Sequence, residues 1–198
     1  YMYDLRIMKA AVDEGASYQD LALGPCIDAP NALTGEVLEI KLDLDDKFKK
    51  IGKVALIATG MDPGITDLIA GYAADKLDRV QEIRMKDCEV QKSDILVSTW
   101  APDLLWYDMI REPHVYENGK FNRVLPFSGE ETYVFPDPVG PQACYHHDHE
   151  EPEIMTRFIK GLKYVEFKMC GPYMLFAKAI YDYGLTKDCL LYTSDAAD

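Results

Sequence analysis

From Val54 to Ala58 the chain is apolar without a break, the pattern of a strand covered on both faces. The period then lengthens. Ile65, Leu68, Ile69, Tyr72, Ala73 and Leu77 recur at helical spacing. Between the two patterns Gly60 ends the strand, Asp62 suits a helix N-cap and Pro63 the first helical position. Gly64 permits a close approach of backbone or ligand. Upstream, Leu5, Ile7, Met8, Ala11 and Val12 form one broad apolar face, so Asp4–Glu14 is predicted as a helix capped by Asp4 and stopped at Gly15. Ser17–Leu23 alternates like a short strand. Gly24–Gly35, with Pro25, Pro30 and Asn31, is predicted as a loop. Leu44–Ile51 is predicted as a short helix, with Asp45 and Asp46 at its start and lysines at its end. Helix and strand in alternation up to Leu77 predict a parallel α/β sheet.

Past Leu77 the rhythm changes. Val80–Val90 favours a strand through Ile83, Met85 and Val90. His114–Glu117, Asn118-Gly119 and Lys120–Phe127 predict a β-hairpin with a two-residue turn. Glu131–Phe135 is a strand stopped by prolines. Glu151–Lys160 is a helix with acids first and bases last, Tyr164–Met169 a strand, and Pro172–Tyr183 a helix stopped at Gly184. This part reads as α+β with a mostly antiparallel sheet. The expected organisation is therefore 1–77 as units of a parallel sheet and 78–188 as an α+β domain. Residues 189–198 read as an adaptor-derived tail set aside from the fold.

Composition narrows the function. With 198 residues and 48% hydrophobic content, the chain can bury a sizeable core. Its net charge of −13 argues against a nucleic-acid surface. No apolar run approaches the roughly 20 residues that span a bilayer. Cys26, Cys88, Cys144, Cys170 and Cys189 form no CxxC pair and no zinc pattern, and read as reduced cytoplasmic thiols.

Ligands of open α/β sheets sit beyond the carboxyl ends of strands, where Met61-Asp62-Pro63-Gly64 falls. From the residues alone, capping explains Asp-Pro-Gly without a ligand. His146, His147, Asp148, His149, Glu150 and Glu151 suggest a metal set. They lie in a loop before a helix rather than at i and i+4 on one, and the acids suit a helix start, so no metal is expected.

The motifs in order are SYQDL, KVALIATGMDPGITDLIA, IRMKDCEV, STW, HVYENGKFNRV, ETYVFPDPVG and HHDHEEPE. This series resembles the saccharopine dehydrogenase-like family of NAD(P)-dependent oxidoreductases, including saccharopine reductases and carboxynorspermidine dehydrogenases. The resemblance runs from about Leu5 to about Gly184, and MDPGITD is its most specific piece. It implies the last units of a Rossmann domain followed by an α+β substrate and dimerisation domain, in a cytoplasmic homodimer of amino-acid metabolism such as lysine metabolism. It further implies NAD or NADP, an amino-acid-like small-molecule substrate, and hydride transfer at a CH–NH bond. By position Asp62, Tyr18 and Cys88 match cleft residues and are the catalytic candidates. Met61, Asp62, Pro63 and Gly64 are the cofactor candidates. Trp100, His149 and Lys163 are the substrate candidates. From the residues alone, Tyr18 is equally a core-edge tyrosine and Cys88 a small buried side chain.

Two departures from the family pattern stand out. The G-x-G-x-x-G fingerprint is absent, which places the phosphate cradle upstream of Tyr1 and leads to the expectation of a fragment inactive by itself. Pro136-Asp137-Pro138 replaces a basic segment that meets a substrate carboxylate, leaving Arg157 and Lys163 as substitutes or as plain surface charge. A non-catalytic scaffold or dimerisation protein on the same fold, and a metal-dependent hydrolase using His146–Glu151, are the rival readings.

Overall fold

The computed structural model describes residues 2–24, 27–28, 34–95, 97, 101–102, 107 and 109–186. They form a mixed α/β chain in two compact units. The first comprises Tyr1–Met85, His114–Arg123 and His149–Phe167; the second comprises Lys86–Pro113, Val124–Asp148 and Lys168–Asp198.

The first unit opens with α1 (Asp4–Asp13), β1 (Tyr18–Gln19), α2 (Thr34–Leu42), α3 (Asp45–Lys50), β2 (Ala55–Leu56) and α4 (Ile65–Ala74). β1 and β2 pair in parallel, Tyr18 against Ala55 and Gln19 against Leu56. Leu5 and Met8 of α1, Tyr18, and Leu44 and Phe48 at α3 make one core, with Ala55 and Ile57 packed against it. Gly15 ends α1 at φ 69°, as its position implied.

The Val54–Ala58 run is not covered on both faces. Ala55 and Ile57 meet the core, while Val54 and Leu56 are exposed, because a period of two sends alternate residues to opposite sides and only one side meets helices. Asp4 does not cap α1: Tyr3 holds that place, and Asp4 is buried with Lys41. Nor does Asp62 cap α4. The helix starts at Ile65 behind Gly64, two residues later than expected. α2 was not anticipated; its buried residues Val37, Leu38 and Lys41 do follow helical spacing, but a lysine masks the apolar stripe.

Further elements among the described residues are β3 (Glu82–Cys88), β4 (His114–Glu117), β5 (Lys120–Arg123), β6 (Glu131–Val134), β7 (Pro141–His146), α5 (Glu151–Phe158), β8 (Tyr164–Cys170) and α6 (Pro172–Asp182). In the first unit β4 pairs antiparallel with β5, joined by Asn118 and Gly119 at φ 49° and 89°, the left-handed pair that a tight hairpin turn requires. β4 also pairs antiparallel with the start of β8. Met155 of α5, Leu162 and Val165 form the second core of this unit, with Val80, Ile83 and Met85 against it.

In the second unit β6 pairs antiparallel with β7, and β7 with the end of β8. β7 has no counterpart in the sequence reading, and it makes His146, expected in a loop, the last residue of a strand. Tyr173, Met174 and Ala177 bury one face of α6, and Phe127 meets Tyr145 edge-on with ring centroids 6.4 Å apart. Lys86 and Lys168 share the Glu131 carboxylate at 3.1 and 2.7 Å.

Candidate active site

The carboxyl ends of β1 and β2 are tied together by Asp20. Its Oδ1 accepts the Ala58 N–H at 2.7 Å, and its Oδ2 accepts the Tyr18 hydroxyl at 2.8 Å and Lys41 Nζ at 2.7 Å. Lys41 also donates to Asp4 and, at 3.2 Å, to the Ala22 carbonyl. The ammonium is fully buried, so this ionic group is sealed inside the fold. Ala58 is held at φ 54°, a left-handed conformation costly for a residue with a Cβ.

After β2 the chain turns sharply through Gly60–Gly64. A Cβ on Gly64 would lie 2.2 Å from the Gly60 carbonyl oxygen, and one on Gly60 would lie 2.6 Å from that of Leu21. Glycine is needed at both places for the chain's own backbone. The turn carries Asp62 toward the segment before α5. His149 Nε2 lies 3.8 Å from Asp62 Oδ2, while His149 Nδ1 lies 2.5 Å from Glu151 Oε2 and 3.1 Å from Glu150 Oε2. The imidazole stacks on Phe167 with centroids 4.3 Å apart and planes 17° from parallel. Glu151 is fully buried, and its Oε1 accepts the Thr66 hydroxyl at 2.9 Å. Glu150 Oε1 accepts the Leu23 N–H at 3.3 Å.

Charge in this cluster is unbalanced. Burial opposes a positive His149, but the Glu151 and Glu150 carboxylates outweigh it and hold the imidazole well above the usual histidine range. Burial pushes the Glu150 carboxyl up, with His149 pulling it back. Asp67, on the first turn of α4, is pushed up to about 7 by burial and by Glu151, and its Oδ1 has no hydrogen-bond partner among the described residues. Asp62, His149 and Glu151 bring ligand atoms within 4.8 Å of one another, enough for a cation or a protonated amine. Beside them lies a groove of about 450 Å³, lined in part by Ile57, Gly60, Ile65, Asp67, Leu68 and Met155.

Of the sequence candidates, Asp62 and His149 come together. Tyr18 is buried and gives its hydroxyl to Asp20. Lys163 is exposed, and its backbone N–H donates to the Gln81 carbonyl at 2.7 Å. Arg157 pairs with Glu39 at the surface, 2.8 Å away. Cys88 ends β3 in the second unit, where burial raises its thiol. Trp100 lies outside the described residues. His146, with Ser128 3.1 Å from its Nδ1, belongs to the second unit. Sequence reasoning missed Asp67 and Thr66, whose position in T-D-L after MDPG-I reads only as an ordinary first turn. It weighed Glu150 and Glu151 as metal ligands and as a helix start, not as partners of His149 and Asp62.

A dinucleotide would find no phosphate cradle in the Gly60–Gly64 turn, because backbone already fills the space beside both glycines.

No family model matches the chain. Over 168 residues, 84% of the chain, it is 26% identical to the carboxyaminopropylagmatine dehydrogenase of Synechocystis sp. and 24% identical to the carboxynorspermidine synthase of Vibrio cholerae. The Vibrio alginolyticus carboxynorspermidine synthase is 23% identical over the same length. The chain spans 41% of the first of these and 40% of the other two, about two fifths of each. Among solved structures it matches apo histidine-tagged saccharopine dehydrogenase (L-Glu forming) from Saccharomyces cerevisiae, with a TM-score of 0.67 and 17% identity over 95% of this chain and 42% of that one. At that identity the likeness is one of fold. In sequence the chain resembles the saccharopine dehydrogenase-like family, and in fold it is similar to saccharopine dehydrogenase itself.

Proposed function

We propose that this chain is part of an NAD(P)-dependent oxidoreductase acting on the CH–NH bond of an amino-acid or polyamine conjugate. The observation that carries the reading is the acid-rich cluster of Asp62, His149, Glu150 and Glu151 at the carboxyl end of β2. An excess of carboxylate around one imidazolium favours a cationic guest, and the nitrogen of such a substrate is a secondary ammonium. In this reading Asp62 accepts a hydrogen bond from that nitrogen. His149, held by Glu151 and flat on Phe167, presents its Nε2 proton toward the same place and serves as the acid or base for the nitrogen. Asp67 and the groove beside it meet the rest of the amine-bearing chain. The nicotinamide, when bound, supplies or takes the hydride. Tyr18 acts through Asp20 to hold the strand ends, and Cys88, Trp100 and Lys163 remain candidates by position. The relatives named as dehydrogenases and synthases of carboxylated polyamines support the substrate class.

The test uses the complete reading frame containing this sequence. It should turn over NAD(P)H with an amine and a carbonyl acid. Asp62→Ala and His149→Gln should each lower kcat by roughly 10²-fold, the scale of a lost acid–base group. Full activity in either variant overturns the assignment. A second reading is favoured by the 4.8 Å grouping of Asp62, His149 and Glu151, which would also suit a divalent cation in a hydrolase. Stoichiometric metal in the purified protein, lost in His149→Gln, would support that reading instead.

A further inference from the structure

Three cysteines stand in a row across the second unit. β7 and β8 pair with Tyr145 against Met169 and His146 against Lys168; carried one residue further, that register sets Cys144 against Cys170. Cys88 ends β3, which pairs with β8, and the N–H of the next residue, Glu89, donates to the Cys170 carbonyl at 3.3 Å. The approach is pinned by Gly171, where a Cβ would lie 2.5 Å from the Glu89 carbonyl oxygen. All three are free; Cys144 and Cys170 are sealed, and Cys88 is partly exposed. Opposed residues of an antiparallel ladder have Cα atoms about 4.5–5.5 Å apart, inside the roughly 4.4–6.8 Å span of disulfides. The thiols do not close into a metal cage, since the grouping of three ligand atoms found among the described residues lies at Asp62, His149 and Glu151. With Cys170 on β8 and the other two on strands that pair with β8, the arrangement suits thiol–disulfide exchange passing through Cys170.

We propose that Cys88, Cys170 and Cys144 form an oxidisable thiol ladder, entered by peroxide at Cys88 and resolved by Cys170. Cys88 gives two electrons to the peroxide, whose O–O bond breaks; one oxygen stays as the Cys88 sulfenic acid and the other leaves as water or alcohol. The Cys170 sulfur then attacks the Cys88 sulfur, the S–O bond breaks, and water leaves with the Cys170 proton. Exchange with Cys144 can move the disulfide inward to Cys144–Cys170, returning Cys88 to a thiol with the proton Cys144 gave up. If Cys88 serves the proposed oxidoreductase, the Cys88–Cys170 bond also lowers activity. That consequence rests on the functional proposal, while the chemistry of the ladder does not.

The experiment reduces the chain, adds equimolar hydrogen peroxide, blocks free thiols with N-ethylmaleimide and maps disulfide-linked peptides by mass spectrometry. Peptides joining Cys170 to Cys88 or to Cys144, lighter by two hydrogens, are expected. Cys88→Ser should slow formation of any Cys170 linkage by roughly tenfold or more, since the remaining pair is sealed from oxidant. Cys144→Ala, which should fold because it only removes a sulfur, should leave the Cys88–Cys170 linkage. Recovery of all three cysteines as maleimide adducts, or of Cys88 as sulfinic acid without a linkage, overturns the proposal. Because the readout is covalent mapping, a failure of the enzyme assay leaves this result standing, and the reverse.

Discussion

Asp67→Asn should make the folded chain more stable at alkaline pH and leave it nearly unchanged in acid. The Asp67 carboxyl is moved from its ordinary 3.8 to about 7, first by burial and then by Glu151, with the Gly64 backbone amide pulling it partly back. Between those two values the folded state holds a proton that the unfolded state has released. Stability therefore falls as pH rises through that window, and the full penalty is present above about pH 7. Moving a carboxyl that far corresponds to about 4 kcal/mol. The side chain is partly open to solvent, so about 2 kcal/mol is a fairer figure. Asparagine keeps an oxygen for the Gly64 amide but cannot ionise. It forfeits the favourable end of the α4 dipole, worth about 0.5 kcal/mol. The expected net gain is about 1–2 kcal/mol at pH 8, shrinking toward zero near pH 4. Equilibrium urea unfolding of both chains at the two pH values measures it. A gain of equal size at both would mean packing rather than charge, and a loss at pH 8 would refute the electrostatic account of the cluster outright.

Two further substitutions probe the strand ends. Lys41→Met strands the buried Asp4 and Asp20 carboxylates together and should cost about 3–5 kcal/mol, read from the urea midpoint; a loss below about 1 kcal/mol would show that water replaces the ammonium. Ala58→Gly should raise stability by about 0.5 kcal/mol, because glycine relieves the left-handed φ of 54° by more than it adds to the freedom of the unfolded chain; a lower Tm in a thermal melt would contradict this.

Local rules made much of this fold readable. Asn-Gly between alternating residues fixed the β4–β5 hairpin, and Gly15 and Gly184 stopped their helices where left-handed backbone was needed. The errors have physical causes. Asp4 was read as a cap because acids favour helix starts, yet the same carboxylate was spent on Lys41, 37 residues away. Asp62 was read as a cap for the same reason, but the helix begins only after Gly64, where the chain folds back on Gly60. α2 escaped because Lys41 occupies a core position. The Asp4 and α2 cases depend on partners distant in sequence, which periodicity does not register; the Asp62 case turns on a backbone fold-back between two nearby glycines. The pairing of Asp62 with His149 spans 87 positions and was legible only as two separate candidates of a family resemblance.

The first unit holds two ionic groups of similar ingredients, and their differences separate scaffold from site. In the Lys41 group every oxygen of Asp20 is occupied: Oδ1 by a backbone amide, Oδ2 by a phenol and an ammonium. Its cation is sealed, and nothing in it asks for another partner. In the His149 group the carboxylates outnumber the cation, Asp67 has an oxygen with no partner among the described residues, and its carboxyl is raised. Folding alone would remove that cost by a single amide substitution, as at Asp67→Asn. A site that must attract an ammonium has to keep it, because the repulsion among empty carboxylates is the free energy a cationic guest releases on arrival. If the same variant that gains stability at pH 8 also binds amines as tightly as the parent, the charge excess serves no ligand.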